Sequence, residues 1–252
     1  MPHSKVNGSE FERTNGAFRL TMLAPSKIGL PYGSIPRLLI SWLSTEAVKT
    51  RQRAIILGDT LSEFMTALGL TPTGGRWGTI TALKEQTKRL FSAAISCTYD
   101  DGDSWAIKNV QPVVESNLWW NPKKPEQASL FESTVILGEE FFKEIINNPI
   151  PIHLEVLKAL KRSPLALDIY CWLTYRMSYL KQKTTIPWPA LQVQFGANYA
   201  TDPQGVRNFK KAFIRELRKV LIFYQSANVS DTSSGLCLEV SKTHVSPRLI
   251  TL

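Results

Sequence analysis

The sequence predicts an α+β fold made of two tandem winged-helix domains, each a helix-turn-helix followed by a β-hairpin wing. Three observations carry that expectation: a helix, strand, helix, turn, helix, hairpin order in the first half, a repeat of the plan in the second, and two third helices whose apolar positions keep step. With 252 residues, 43% of them apolar, the chain is long enough for two cores that offset the cost of ordering the backbone.

Residues 1–24 are polar with scattered charges and are expected to be a flexible N-terminal segment. Leu30-Pro31-Tyr32-Gly33-Ser34 then leads into Ile35, Leu38, Leu39, Trp42 and Leu43. That spacing predicts a helix over 34–47 with Ser34 as cap and Pro36 in its first turn. Ile55-Ile56-Leu57 reads as a short strand, and Thr60 caps a short helix that stops at Leu68-Gly69. After the turn Thr71-Pro72-Thr73-Gly74-Gly75 a third helix runs over 79–92. Strands over 93–99 and 104–110 flank Asp100-Asp101-Gly102-Asp103 and form the first wing. These elements make domain 1 over 25–115.

Residues 116–130, with Trp119, Trp120 and the run Asn121-Pro122-Lys123-Lys124-Pro125, lack apolar periodicity and read as the linker. Domain 2, over 131–252, begins with a strand at 131–137 and helices over 139–147 and 154–161. Ser163-Pro164-Leu165 opens a long helix, followed by a strand at 184–186, a short helix ending at Phe195-Gly196, a helix over 203–220, and a second wing around Asp231 to Gly235. The third helices match: Ile80, Leu83, Thr87 and Phe91 are spaced like Val206, Phe209, Phe213 and Leu217.

Each stripe faces a core, so the opposite face is what each domain presents. On the first helix it carries Lys84, Lys88 and Arg89, with Arg76 just ahead; on the second it carries Arg207, Asn208, Lys210, Lys211, Arg215, Arg218 and Lys219. From Gln204 to Val220 six basic side chains stand against one acidic one, Glu216, within a chain whose net charge is +9. Such faces on third helices point to double-stranded DNA, where Arg and Lys reach guanine edges or phosphates and Asn reads adenine. The acidic tip at Asp100, Asp101 and Asp103 is expected to turn away from DNA or to meet protein. Trp119 and Trp120 are read as packing against a domain flank.

Other chemistries find no support. Cys97, Cys171 and Cys237 are far apart and unpaired in motif, and His3, His153 and His244 are isolated, so no metal site, disulfide framework or cofactor is expected. Isolated histidines exclude the His-rich metal site of a replication nickase, and neither His153 nor His244 begins a His-x-x-Arg. No Gly-x-x-x-x-Gly-Lys-Ser/Thr is present either, so the chain is read as a non-enzyme. Without a signal sequence or a membrane-spanning apolar run, it is read as cytoplasmic.

Several segments resemble a known family. Leu30-Pro31-Tyr32-Gly33-Ser34-Ile35-Pro36-Arg37, Thr73-Gly74-Gly75-Arg76-Trp77-Gly78-Thr79-Ile80, Gln86-Thr87-Lys88-Arg89-Leu90-Phe91 and the long run from Ser163 to Arg176 are similar to the plasmid-encoded RepA replication initiators. That family is related to TrfA and the iteron-binding initiators. The resemblance implies binding to plasmid origin repeats, origin opening, and recruitment of host replication proteins such as a helicase or the host initiator. It also implies main major-groove contacts from Arg207, Lys210, Lys211 and Arg215, and a homodimer surface on domain 1. A transcriptional repressor or partition protein on the same fold remains the alternative reading.

Overall fold

The N-terminal residues pair into a hairpin, β1 (Glu10–Asn15) and β2 (Phe18–Leu23), around Gly16 at φ 60°. A two-residue hairpin turn favours a positive φ at this position, which glycine adopts without steric cost. This corrects the expectation of a flexible segment over 1–24: Phe11, Met22 and Ala24 are buried with Leu30 and Ala93 in a small core of their own. The computed structural model describes residues 1–129, 131–196 and 199–245. It forms two units, Met1–Glu12 with Gly16–Pro149, and Ile150–Leu252 with the hairpin-tip residues Arg13–Asn15.

Unit 1 continues with α1 (Ser34–Thr50), β3 (Ala54–Ile56), α2 (Leu61–Ala67) and α3 (Thr79–Phe91). Thr60 and Glu63 close a capping box at α2, the Glu63 amide donating to Thr60 Oγ1 at 3.1 Å and the Thr60 amide to Glu63 Oε2 at 3.3 Å. Two otherwise orphaned amides are satisfied in this way. Leu39 and Leu43 of α1, Phe64 and Met65 of α2, and Leu83 and Leu90 of α3 meet in one buried core.

Two hairpins follow α3, and their roles differ from expectation. β4 (Ala94–Asp100) and β5 (Trp105–Val110) join the N-terminal hairpin in a four-stranded sheet of order β1-β2-β4-β5. β6 (Val113–Asn117) and β7 (Thr134–Leu137) instead pair with β3 in the order β3-β7-β6, with Ile55 opposite Val135. The wing of unit 1 is therefore β6 and β7, and β4 with β5 is an addition. Val135 and Leu137 are fully buried on the core, whereas β5 is exposed along nearly its whole length.

The segment 116–130, expected to link two domains, is the loop of this wing. It folds back on α2: the Ser62 amide donates to the Pro125 carbonyl at 3.1 Å, the Ser129 amide donates to the Asp59 carbonyl at 3.2 Å, and Trp120 lies 4.9 Å from Phe64. α4 (Glu139–Asn147) then packs Phe141, Phe142 and Ile145 onto the same core. The boundary thus falls at Pro149 and Ile150, because β7 and α4 complete unit 1 and do not begin unit 2.

Unit 2 comprises α5 (Leu154–Leu160), α6 (Pro164–Tyr179), β8 (Thr184–Pro187), α7 (Trp188–Phe195), α8 (Pro203–Phe223), β9 (Val229–Asp231) and β10 (Gly235–Leu238). Its sheet has the order β8-β10-β9, the counterpart of β3-β7-β6. Phe213 sits at the centre of its core, with the rings of Phe195 at 5.4 Å, Phe209 at 5.5 Å and Trp188 at 6.0 Å. Truncating a buried phenylalanine costs about 3–5 kcal/mol, so this side chain is a main support of α8. Past β10 the chain is held by Tyr224, which donates to the Lys242 carbonyl at 2.8 Å and stacks on His244 at 4.8 Å. The final residues of the domain expected to end at 252 lie outside those described. Among the described residues no helix is long and apolar enough to cross a membrane.

Candidate nucleic-acid interface

The face of α8 turned from the core is basic along most of its length. Asp202 caps the helix by accepting from the Gly205 amide at 2.6 Å, and Phe209, Phe213, Leu217 and Val220 bury one side. At 100° per residue, Arg207, Lys211, Arg215 and Arg218 fall on the other side. All four are exposed, as is Asn208. Lys211 and Arg218 have no ion pair or side-chain hydrogen bond among the described residues, while Arg207 donates to Gln204 at 2.8 Å.

Glu216, the acidic residue of this stretch, is buried and tied to Arg215 and Lys219 at 2.8 Å each. Burial alone pushes its carboxyl up, but hydrogen bonds from Lys219, Arg215 and Ser163 outweigh that and hold it below the usual carboxylate range. Glu216 thus stays charged and holds Arg215 at its Nε and Lys219 at its ammonium. Arg215 remains 70% exposed, which leaves most of its guanidinium free for an anion.

Lys210 stands apart from its neighbours. It lies on the flank of α8, half-buried, with its ammonium 4.8 Å from the Trp188 ring centre and donating to the Thr232 carbonyl at 2.8 Å. Thr232 is in the turn of the second wing. Its position fixes that wing against the helix, a role the sequence pattern did not distinguish from DNA contact.

In unit 1 the corresponding helix is α3. Lys84 and Lys88 are exposed and unpaired among the described residues. Arg89 is absorbed into the fold: it pairs with Glu85 at 2.7 Å, donates to the Leu30 carbonyl at 3.2 Å and lies 5.6 Å from the Tyr32 ring. Arg76 is exposed in the turn before α3, 5.0 Å from the ring of Trp77.

The wing loop places Lys123 and Lys124 in solvent beside α2. Sequence pattern alone does not single out these two lysines, because a Pro-rich stretch without apolar period reads as a linker; the Asn-Pro-Lys-Lys-Pro composition is the signal that marks them. The acidic tip belongs to the added sheet and is self-contained. Tyr99 donates to Asp101 at 2.7 Å, and the Ser104 amide and hydroxyl donate to its other oxygen at 2.8 and 3.0 Å. These bonds, Tyr99's first, bring the Asp101 carboxyl down to about 2. Trp119 is half-exposed and lies 5.4 Å from Phe131.

A family model described as plasmid encoded RepA protein matches residues 30–189. The chain belongs to this family. The match runs from the lead-in of α1 to the first turn of α7, so in this RepA-family protein α8 lies beyond the matched span. Two crystal structures share its fold. One is of RctB domains 2-3, with a TM-score of 0.61 and 11% identity over 96% of this chain and 95% of that one. The other is of selenomethionine derivatives of domain 2 and domain 3 of RctB, with a TM-score of 0.64 and 11% identity over 98% and 95%. The fold is thus tandem winged-helix, and the family is one of plasmid replication initiators. Curated proteins provide no significant match.

Proposed function

We propose that this RepA-family protein initiates plasmid replication by binding double-stranded DNA repeats at the origin through both winged-helix units. The observation that carries the reading is the outward stripe of α8, Arg207, Lys211, Arg215 and Arg218, set on a helix whose other face is buried. A third helix of a helix-turn-helix presents this face to the major groove. Lys84, Lys88 and Arg76 give unit 1 a smaller basic face, and Lys123 and Lys124 lie on its wing. Asn208 is exposed and suited to reading adenine, whereas Lys210, Arg89 and Lys219 serve mainly to hold the interface in shape.

In this reading the bound protein opens adjacent A·T-rich DNA in the cytoplasm and brings in host replication proteins such as a helicase or the host initiator. A homodimer formed through unit 1 completes the assembly. Two measurements test it. Arg207→Ala or Arg215→Ala weakens binding to origin repeats by about 1–3 kcal/mol, and unchanged binding would remove α8 as the reading element. Permanganate footprinting on supercoiled origin DNA shows unpaired thymines beside the bound repeats. Binding without melting, with host factors present, makes the protein a repressor or partition factor.

A further inference from the structure

The turn before α3 is cross-linked more tightly than an exposed loop requires. The Thr73 amide donates to Thr79 Oγ1 at 3.0 Å, the Thr79 amide donates to Thr73 Oγ1 at 2.9 Å, and the Thr79 hydroxyl donates to the Thr71 carbonyl at 2.5 Å. Two residues on, the Thr81 hydroxyl donates to the Gly75 carbonyl at 2.8 Å. Two glycines make the path feasible. Gly75 has φ 86°, and at Gly78 a Cβ would lie 2.2 Å from the Thr73 carbonyl oxygen.

What this rigid turn holds is Trp77, 89% exposed and the most exposed large apolar side chain among the described residues. An indole left in water forgoes one of the largest apolar burials a side chain offers. Here the scaffold keeps it out. At 89% exposure the ring is open to approach. Arg76 stands 5.0 Å from its centre, and Lys84 and Lys88 extend the positive charge along α3.

Charge complementarity selects a polyanion, and position selects the base edges, because the N-terminal end of a recognition helix approaches them in the major groove. The major groove floor offers an indole one apolar partner, the C5-methyl of thymine. We propose that Trp77 and Arg76 form a composite base-reading unit of unit 1. The indole packs on a thymine methyl and holds the guanidinium toward the adjoining base. This deepens the proposed function, since it rests on α3 entering the groove.

The test uses the full chain and a duplex recovered from a random-sequence library by the wild-type protein. Its thymines are replaced one at a time by deoxyuridine, which lacks only the methyl. Wild-type affinity falls about four-fold at one position, the value of one buried methyl-sized group, and Trp77→Ala binds the thymine and deoxyuridine probes alike. Trp77→Phe retains part of the discrimination, and thermal melting of both variants matches wild type. Trp77→Ala discriminating as wild type does, or wild type being indifferent to every replacement, overturns the proposal.

Lys84→Ala and Lys88→Ala separate this failure from a deeper one. If they weaken binding while Trp77→Ala does not, α3 still lies on DNA and only the role of Trp77 falls. If all of them bind as wild type does, the reading of α3 falls with it. Loss of single-stranded oligothymidine binding alone in Trp77→Ala also overturns the proposal and assigns the ring to unpaired DNA.

Discussion

Lys210 and Trp188 donate to the same oxygen, the carbonyl of Thr232, at 2.8 and 3.0 Å, with the ammonium stacked on the indole. The wing turn is thereby pinned to both helices of the helix-turn-helix. Lys210→Met keeps the aliphatic stem on the ring and removes the donor. It is expected to lower stability by about 1 kcal/mol and to leave the salt dependence of DNA binding nearly unchanged. Lys211→Ala, one residue on, should do the reverse: unchanged melting and a salt slope smaller by about 1. Equal effects of the two variants on the slope would mean that Lys210 leaves its latch to meet phosphate.

The reassigned wing leads to a second expectation. If the β6–β7 loop lies along the DNA backbone, Lys123→Ala with Lys124→Ala reduces the salt slope by about 1–2. Asp100→Asn with Asp103→Asn on the added hairpin leaves it where it was. Asp101 is kept intact in this comparison, because its carboxylate closes the turn through Ser104. Anisotropy titrations over a range of salt read both pairs, and a response from the aspartates alone would restore the added hairpin as the wing.

Helices were legible where the apolar period ran unbroken. The expected span 139–147 coincides with α4, and Val206, Phe209, Phe213 and Leu217 do face a core, Val206 at its margin. The wing was not legible, because hairpin composition is local while strand pairing is not. Ala94–Asp100 with Trp105–Val110 and Val113–Asn117 with Thr134–Leu137 both satisfy hairpin rules. Only the long-range match of Ile55 with Val135 decides between them. The same limit applies to single lysines. A charge pattern identifies the basic faces of α3 and α8, but Lys210 is claimed by the Thr232 carbonyl in the wing turn and Arg89 by the Leu30 carbonyl, both outside the helices that carry the pattern.

The N-terminal residues are structural, and Arg37 shows why. It is buried at 5% exposure and donates to the carbonyls of Met1 at 2.7 Å, Pro2 at 3.1 Å and Gly33 at 2.7 Å. Deleting residues 1–24 removes two of these acceptors from a buried cation and uncovers β4. Hydrogen bonds to a charged group contribute about 1.5–3 kcal/mol, so urea unfolding of unit 1 should shift to clearly lower midpoints. An unshifted midpoint would mean that the hairpin is dispensable.

Protonation of His244 provides the last prediction. Its Nδ1 lies 2.9 Å from the Tyr170 hydroxyl, its ring stacks on Tyr224, and the His153 ring is 4.9 Å away. Burial, then the charge of His153, push His244 below its ordinary 6.5. The unfolded chain therefore takes up a proton, as pH falls through about 6.5, that the folded chain still resists. Stability of unit 2 is full above that pH and declines below it, until the folded-state value is reached. His244→Phe keeps the stack on Tyr224 and cannot titrate, so its unfolding midpoint should lose this dependence between pH 7 and pH 5. The buried Tyr170 hydroxyl, pushed up to about 12 by its surroundings, stays protonated throughout and contributes nothing to the slope. A variant that keeps the wild-type slope would place the titration elsewhere in unit 2. In that case the contact between His244 and Tyr170 would be holding the chain after β10 without sensing pH.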